Sequence, residues 1–239
     1  MKFINLIRLF LNFFDYFQQV KILKYLKKNL NSKIILFDIG AHHGETIKLF
    51  SKKFEIEEIH CFEASPINFK ILSMELKRIN FKLKIYLNNL GIGANNKNTF
   101  INQTEETSSS SINEFNRNSK YLKKKLKILN IKNYENFYTK IPIKLIKLDD
   151  YIEQKKIEKI DILKIDTEGF ELNVLKGLKL NCKKVKFIYF EHHYDDMIKK
   201  NYKFSDINKI LDDYGFKKKY KSKMFFRKSF EYIYENKFI

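Results

Sequence analysis

Two short segments in the second half of the chain carry side chains able to move a proton: Asp166-Thr167-Glu168-Gly169 and Glu191-His192-His193. Carboxylates and imidazoles do this within hydrogen-bond reach of a reacting hydroxyl or amine. The first half carries residue types suited to holding a ligand. Asp38-Ile39-Gly40, with Gly44 after it, breaks one apolar stretch, Glu63-Ala64 closes a second, and Asn88-Asn89 closes a third. A glycine turn lets backbone approach a ligand. An acid about twenty residues beyond it is placed to accept both hydroxyl protons of a ribose diol. Each feature alone has a bland explanation: Asp166 as a helix cap, Glu63 as a solvated strand end, a lone histidine as a structural one. All of them falling at element ends by accident fits poorly.

The elements that must position these groups follow from hydrophobic periodicity. IILFDIGAHHGETIKL (residues 34–49) reads as strand, tight turn and helix, with backbone N–H groups and a helix N-terminus facing a ligand. EIHCFEAS is a second short buried strand, followed by a helix starting at Pro66. KLKIYLNNLGIG is a third strand. Residues 95–140 interrupt the alternation with a polar run, INQTEETSSSSINEF, then one lysine-rich helix and a loop. A loop of this length is either solvated or a lid over a site. IPIKLIKLDDYI then gives a strand and a helix start at Asp149 or Asp150. The buried strand of KIDILKIDTEGFELNVLKGL ends at the Asp166 turn and a helix follows, and KVKFIYFEHHY is another strand. The remainder predicts a helix and a terminal hairpin. Strand and helix alternating mean an α/β fold: a mostly parallel central sheet, helices on both faces and an antiparallel C-terminal hairpin. Its ligand crevice lies outside the carboxyl ends of the strands, where the polar groups fall. Residues 1–30 form an amphipathic helical extension and 31–239 one domain, with an insertion at about 95–140.

Composition narrows the partners. The net charge is +19, which would suit nucleic acid. Yet nearly all of it is lysine, with only Arg8, Arg78, Arg117 and Arg227 besides, in a chain rich in Asn and Ile. That is the mark of a nucleotide-composition bias, and a phosphate-gripping face would use more arginine. Nucleic acid is disfavoured, and anionic small substrates such as nucleotide-linked sugars fit at least as well. Cys61 and Cys182 lack metal-ligand spacing and suggest no disulfide framework, which fits a reducing cytoplasm. No stretch is long and apolar enough to span a bilayer. The N-terminal helix either docks on the domain or lies on the inner membrane surface, and docking is the commoner fate of amphipathic helices. Oligomeric state is left open.

The first turn departs from G-x-G-x-x-G, because His42 stands where a second glycine would admit a pyrophosphate. Adenosine, a ribose diol and a charged amino-acid tail meet the remaining requirements, which describes S-adenosylmethionine (SAM). FDIGAHHGETIKLF, CFEASPINFKIL, LNNLGIG, KLDDYI and especially DILKIDTEGFELNVLKG resemble the FkbM family of SAM-dependent methyltransferases, in order from about Ile34 to about His193. The resemblance implies a Rossmann-like class I methyltransferase fold. It also implies transfer of a methyl group to a hydroxyl oxygen of a sugar, nucleotide-sugar or surface-glycan acceptor. On it, Asp38, Gly40, His43, Gly44, Glu63, Ala64 and Asn89 hold SAM. Asp166 sits near the methyl, and Glu168, Glu191 and His192 orient the acceptor or remove its proton. His192 is favoured over His193, since neighbours on a strand face opposite ways. His42-His43, and Ala64 where proline is frequent, depart from the family pattern and leave side-chain details open. Asp166, Glu168, Glu191 and His192 could instead ligate Mg²⁺ or Mn²⁺, a reading not favoured. An amine acceptor on a base would want an N-P-P-Y-like motif after the fourth strand, where Asp166-Thr167-Glu168-Gly169 stands, so an RNA or other nucleic-acid methyltransferase is a weaker alternative. A non-catalytic SAM-binding module is another. Gly40→Val is expected to abolish SAM binding and leave the fold largely intact.

Overall fold

The computed structural model describes residues 19–30, 33–79, 83–131, 136–224 and 227–239. Residues 1–18 of the N-terminal extension lie outside them. The helix over residues 19–28 (α1) buries Ile22, Leu23 and Leu26 and leaves Lys21, Lys24, Lys27 and Lys28 exposed. That apolar stripe packs on the domain, alongside Phe50 and Ile59.

Seven strands form the central sheet: β1 (Ile34–Ile39), β2 (Ile56–Phe62), β3 (Lys84–Asn88), β7 (Ile160–Ile165), β8 (Val185–His193), β9 (Phe216–Lys223) and β10 (Ser229–Asn236). Their order is β3-β2-β1-β7-β8-β10-β9. β1 pairs in parallel with both β2 and β7, while β10 is antiparallel to β8 and β9. The order runs backwards from β1 to β3 and forwards from β7 to β8, so the crevice opens where β1 meets β7. β1 is buried along its whole length because both faces are covered. On one face α1, α2 (Glu45–Ser51) and α3 (Pro66–Ile79) pack over Leu36, Ile162 and Phe187. On the other, α5 (Leu148–Gln154), α6 (Glu171–Lys176) and α7 (Phe204–Asp213) pack over Phe37, Leu163 and Ile188. The alternation of β1 thus feeds two cores. Cys61 and Cys182 are buried free thiols. No helix among the described residues is long and apolar enough to cross a membrane.

The interruption after β3 differs from expectation. Part of the polar run is strand: β5 (Lys97–Thr104) pairs antiparallel with β6 (Tyr138–Ile146), and β4 (Gly91–Ile92) pairs in parallel with β6. Together they make a second, three-stranded sheet. Asn102, Gln103 and Thr104 are buried there, so polar composition misrepresented their surroundings. The lysine-rich helix is α4 (Lys120–Ile128), started by Ser119, whose side chain accepts from Leu122 N–H. Leu122 and Leu126 anchor it on Phe115, Phe137 and Met197.

Candidate active site

A cavity of about 1630 Å³ lies over the carboxyl ends of β1, β2, β7 and β8, lined by Gly40, Glu63, Asp166, Glu168 and Glu191 among others. Two halves meet in it.

The first half is the turn after β1. Gly40 has φ +87°, and an added Cβ would stand 1.9 Å from the Asp166 carbonyl oxygen. Only glycine lets β1 and β7 come together here. The Asp166 N–H donates to the Ile39 carbonyl at 2.9 Å. Gly40→Val would therefore wedge two strands apart, which corrects the expectation of an intact fold. The N–H groups of the turn, expected to face a ligand, are used within the protein. Gly40 and Ala41 donate to the Phe62 carbonyl at 2.9 and 3.1 Å, His42 donates to Glu63 Oε2 at 2.8 Å, and His43 to Glu45 Oε2 at 3.1 Å. What faces the cavity here is carboxyl, imidazole and apolar surface.

Glu63 is 5% exposed. Besides His42 N–H, it accepts from Ser65 N–H through Oε1 at 2.9 Å. Burial pushes its carboxyl up to about 7, against those two donors. Each oxygen keeps a second lone pair, so the group is both fixed and able to accept from a diol. Ala64 and His43 also line the cavity, His43 stacked on His42 at 3.7 Å. Three residues proposed to touch the cofactor lie behind the wall instead. Asp38 is fully buried, its oxygens without a hydrogen bond and Lys164 Nζ 3.8 Å away; burial pushes it up to about 6. Gly44, φ +87°, abuts Leu72 and Leu76 of α3. Asn89 donates to the Glu63 and Ala64 carbonyls at 2.8 and 3.3 Å. These support the wall.

The second half is the Asp166 turn with the end of β8. Glu168 and Gly169 have φ +49° and +91°, a conformation that costs a non-glycine residue of order 1–3 kcal/mol. Surrounding bonds hold it. Ser111 Oγ donates to the Glu168 carbonyl at 2.7 Å and Asn113 Nδ2 to the Gly169 carbonyl at 2.6 Å. From below, Gly169 N–H donates to Glu171 Oε1 at 2.8 Å. The insertion thus braces the turn, and Thr107 to Ser110 line the cavity. His42 Nε2 and Thr107 Oγ1 lie 2.9 Å apart, tying the insertion to the first turn as well.

His193 stands at the centre of this half. Its Nε2 is 3.6 Å from Glu168 Oε2 and 3.6 Å from Glu191 Oε1, and its Nδ1 is 3.6 Å from Asp195 Oδ2. Burial opposes its charge, but Glu168, Glu191 and Asp195 outweigh it and raise the imidazole to about 10. Burial pushes Glu168 up to about 7, with His193 and Lys125 opposing. Asp166 accepts from Lys164 at 3.0 Å. Burial favours its neutral form, yet Lys164 holds it below the usual carboxylate range. Glu231 of β10 stands across from Glu191; burial and Glu191 push it up to about 8.

His192 does not join this group. It is 3% exposed and faces Tyr194, Tyr202 and Phe204 on the other side of the sheet, where burial and then Lys200 lower it to about 3. The preference for His192 over His193 is therefore reversed by strand alternation: Glu191 and His193 share a face. That signal was present in the sequence. Lys164 likewise shares a face with Asp166. Glu231 had no such signal, because β10 reaches Glu191 only through tertiary pairing. The proposed Mg²⁺ or Mn²⁺ set does not assemble either, since His192 faces away and Asp166 is bound by Lys164. Among the described residues, His42, His43 and Glu45 bring ligand-type atoms within 4.8 Å. Both His42 nitrogens already meet partners in Glu45 and Thr107.

Strand order, the switch point beside a glycine turn and the acid ending β2 define a Rossmann-like methyltransferase fold. The sequence profile of the Methyltransferase FkbM domain matches residues 38–218, and the chain belongs to this SAM-dependent family. Among solved structures, the methyltransferase FkbM from Methylobacillus flagellatus KT is 18% identical with a TM-score of 0.53. The match covers 86% of this chain and 45% of that one, so this chain spans less than half the length of that protein. The magnesium protoporphyrin IX methyltransferase from Synechocystis PCC 6803, solved with bound SAM, is 10% identical with a TM-score of 0.50, over 92% of this chain and 79% of that one. These likenesses show the fold. No curated protein matches the chain in sequence. The residues present fit SAM: Glu63 for the ribose, and Phe62, Leu90 and Ile92 as apolar walls.

Proposed function

We propose that the chain transfers a methyl group from SAM to a hydroxyl oxygen of a sugar, nucleotide-sugar or surface-glycan acceptor. One observation carries this reading. Glu168 Oε2, Glu191 Oε1 and His193 Nε2 are buried at the cavity floor without a hydrogen-bond partner. Buried polar atoms are normally satisfied, and a ligand with several hydroxyls would satisfy these. An apolar acceptor would leave each unmet, at about 1–3 kcal/mol apiece.

SAM, when bound, supplies a methyl carbon activated by its sulfonium. Glu63 and the apolar wall orient it, and the protein's main task is to hold the acceptor oxygen in line. The hydroxyl proton passes to Glu168, whose raised carboxyl value of about 7 suits a base working near neutrality. His193 stays protonated up to about 10. It cannot be the resting base, and its charge steadies both the Glu168 carboxylate and the oxygen losing its proton.

The test is to incubate purified protein with methyl-labelled SAM and a panel of nucleotide-sugars, glycans, small phenols and RNA. Label is expected in a nucleotide-sugar or glycan. Label in RNA alone would overturn this acceptor class.

A further inference from the structure

We propose that the acceptor carries a diphosphate, which docks on a cationic rim assembled from α4 and from Lys223, Arg227 and Lys228 of the C-terminal hairpin. This rests on the methyltransferase reading above and names the acceptor class of the same site.

From α4, Lys120, Lys124 and Lys125 line the cavity; from the C-terminal hairpin, Lys223, Arg227 and Lys228 do so. These two stretches lie about a hundred residues apart, yet they meet across one opening. Arg227 acts on both sides of it. It opposes the upward push that burial and Asp195 give the phenol of Tyr121 on α4. It also helps hold Asp166 ionised against burial, after Lys164 and His193.

Lys125 is engaged by Glu106 at 3.5 Å and by Ser109. The side chains of Lys120, Lys124, Lys223 and Lys228 make no ion pair among the described residues. Like charges gathered at one mouth repel unless an anion meets them, and they draw one in.

The floor carries both signs, with Asp166, Glu168, Glu191 and Glu231 beside Lys164 and His193. An acceptor is therefore sorted end to end. Its neutral, hydroxyl-bearing part lies against the unpartnered polar atoms of Glu168, Glu191 and His193, and its anionic part lies at the rim, where Lys120, Lys124, Lys223 and Lys228 are not offset by paired acids among the described residues. Size agrees: about 1630 Å³ exceeds the roughly 300–1000 Å³ of a single small-molecule pocket. That leaves room for a cofactor and an extended acceptor together. A diphosphate spreads its charge over several oxygens, so one group can meet lysines on both sides of the opening, each acting as a point charge, as a lone carboxylate would not.

The experiment is calorimetric titration of UDP and of uridine into the 239-residue chain, with and without S-adenosylhomocysteine. It uses wild type, Lys124→Glu, Lys228→Glu and Lys179→Glu. Lys179 is exposed and outside the cavity lining, so its variant carries the same charge change away from the rim. UDP is expected to bind at least tenfold tighter than uridine, and less tightly as salt rises. Lys124→Glu and Lys228→Glu should each lose about tenfold for UDP, while Lys179→Glu keeps wild-type affinity. UDP binding no tighter than uridine, or an equal loss in Lys179→Glu, would overturn the rim. Failure of S-adenosylhomocysteine to bind the same samples would instead strike the methyltransferase reading, and the comparison without it still decides the rim.

Discussion

Glu63 and Glu168 are acids at the ends of β2 and β7, the two strands that flank β1, and burial pushes each up to about 7. Their surroundings are otherwise opposed. Both oxygens of Glu63 accept from backbone N–H groups at 2.8 and 2.9 Å. Glu168 Oε2 has no hydrogen bond, only an imidazole 3.6 Å away. Backbone donors cannot turn away, so the Glu63 half of the cavity is set before any ligand arrives. The Glu168 half keeps its hydrogen-bonding capacity unspent, at a cost in stability, and a strained turn holds it in place. On the function proposed above, one half is preorganised for the cofactor and the other is reserved for the group that reacts. The same low dielectric that makes an unpaired acid costly makes it responsive to a developing charge.

The largest effect should come from Gly40→Ala, which strikes the seam between the halves. Its Cβ would collide with the Asp166 carbonyl at a positive φ. S-adenosylhomocysteine binding should be lost in calorimetry, and the melting temperature should fall by roughly 5–10 °C for about 3 kcal/mol. Unchanged binding and melting would mean that the first turn is not a preset seat.

Next, Glu168→Gln should lower kcat by roughly 10²–10⁴-fold with cofactor affinity unchanged. In the wild type, kcat should rise with pH through about 7 as Glu168 ionises, then stay level up to about 9 because His193 holds its proton to about 10. Glu63→Gln should do the reverse: SAM binding weaker by roughly ten- to a hundredfold, with kcat at saturating SAM nearly intact. If both variants change the same constant, the division between the halves fails.

The smallest effect is on stability against pH. Glu63, Glu168 and Glu231 have raised values in the fold, so the folded state holds protons that the unfolded chain releases. Stability must then fall as pH rises from about 5 to about 8. His193 acts in the same direction: its stabilisation is complete below its ordinary value of 6.5 and is lost as pH rises through about 10. Melting temperature should therefore decline from pH 5 to pH 9, and Glu231→Gln should flatten the part below pH 8. A wild-type curve that climbs over this range would contradict the burial of these acids.

Much of the site was legible in the chain because it is local. Apolar runs ending in Gly40, Glu63, Asp166 and Glu191 mark strand ends, and a parallel sheet gathers strand ends at one rim. Alternation separates Glu191 and His193 from His192, but it says only that the two histidines face opposite ways; it picks His193 once Glu191 is taken to mark the cavity face. The polar stretch before Ser108 misled for a different reason. Asn102 and Gln103 are buried by pairing with β6, some forty residues later, and composition cannot register a partner that distant.

Sequence by itself determined the alternating strands and helices, the turn that only Gly40 allows, and the acids at the strand ends. Hydrophobic period and backbone sterics act between near neighbours, and that suffices for these features. Tertiary structure alone decided two others: that Glu231 stands beside Glu191, and that α4 and the C-terminal hairpin line one cavity. Each depends on segments distant in the chain packing together, and the charge a group carries there is set by neighbours that only the fold supplies.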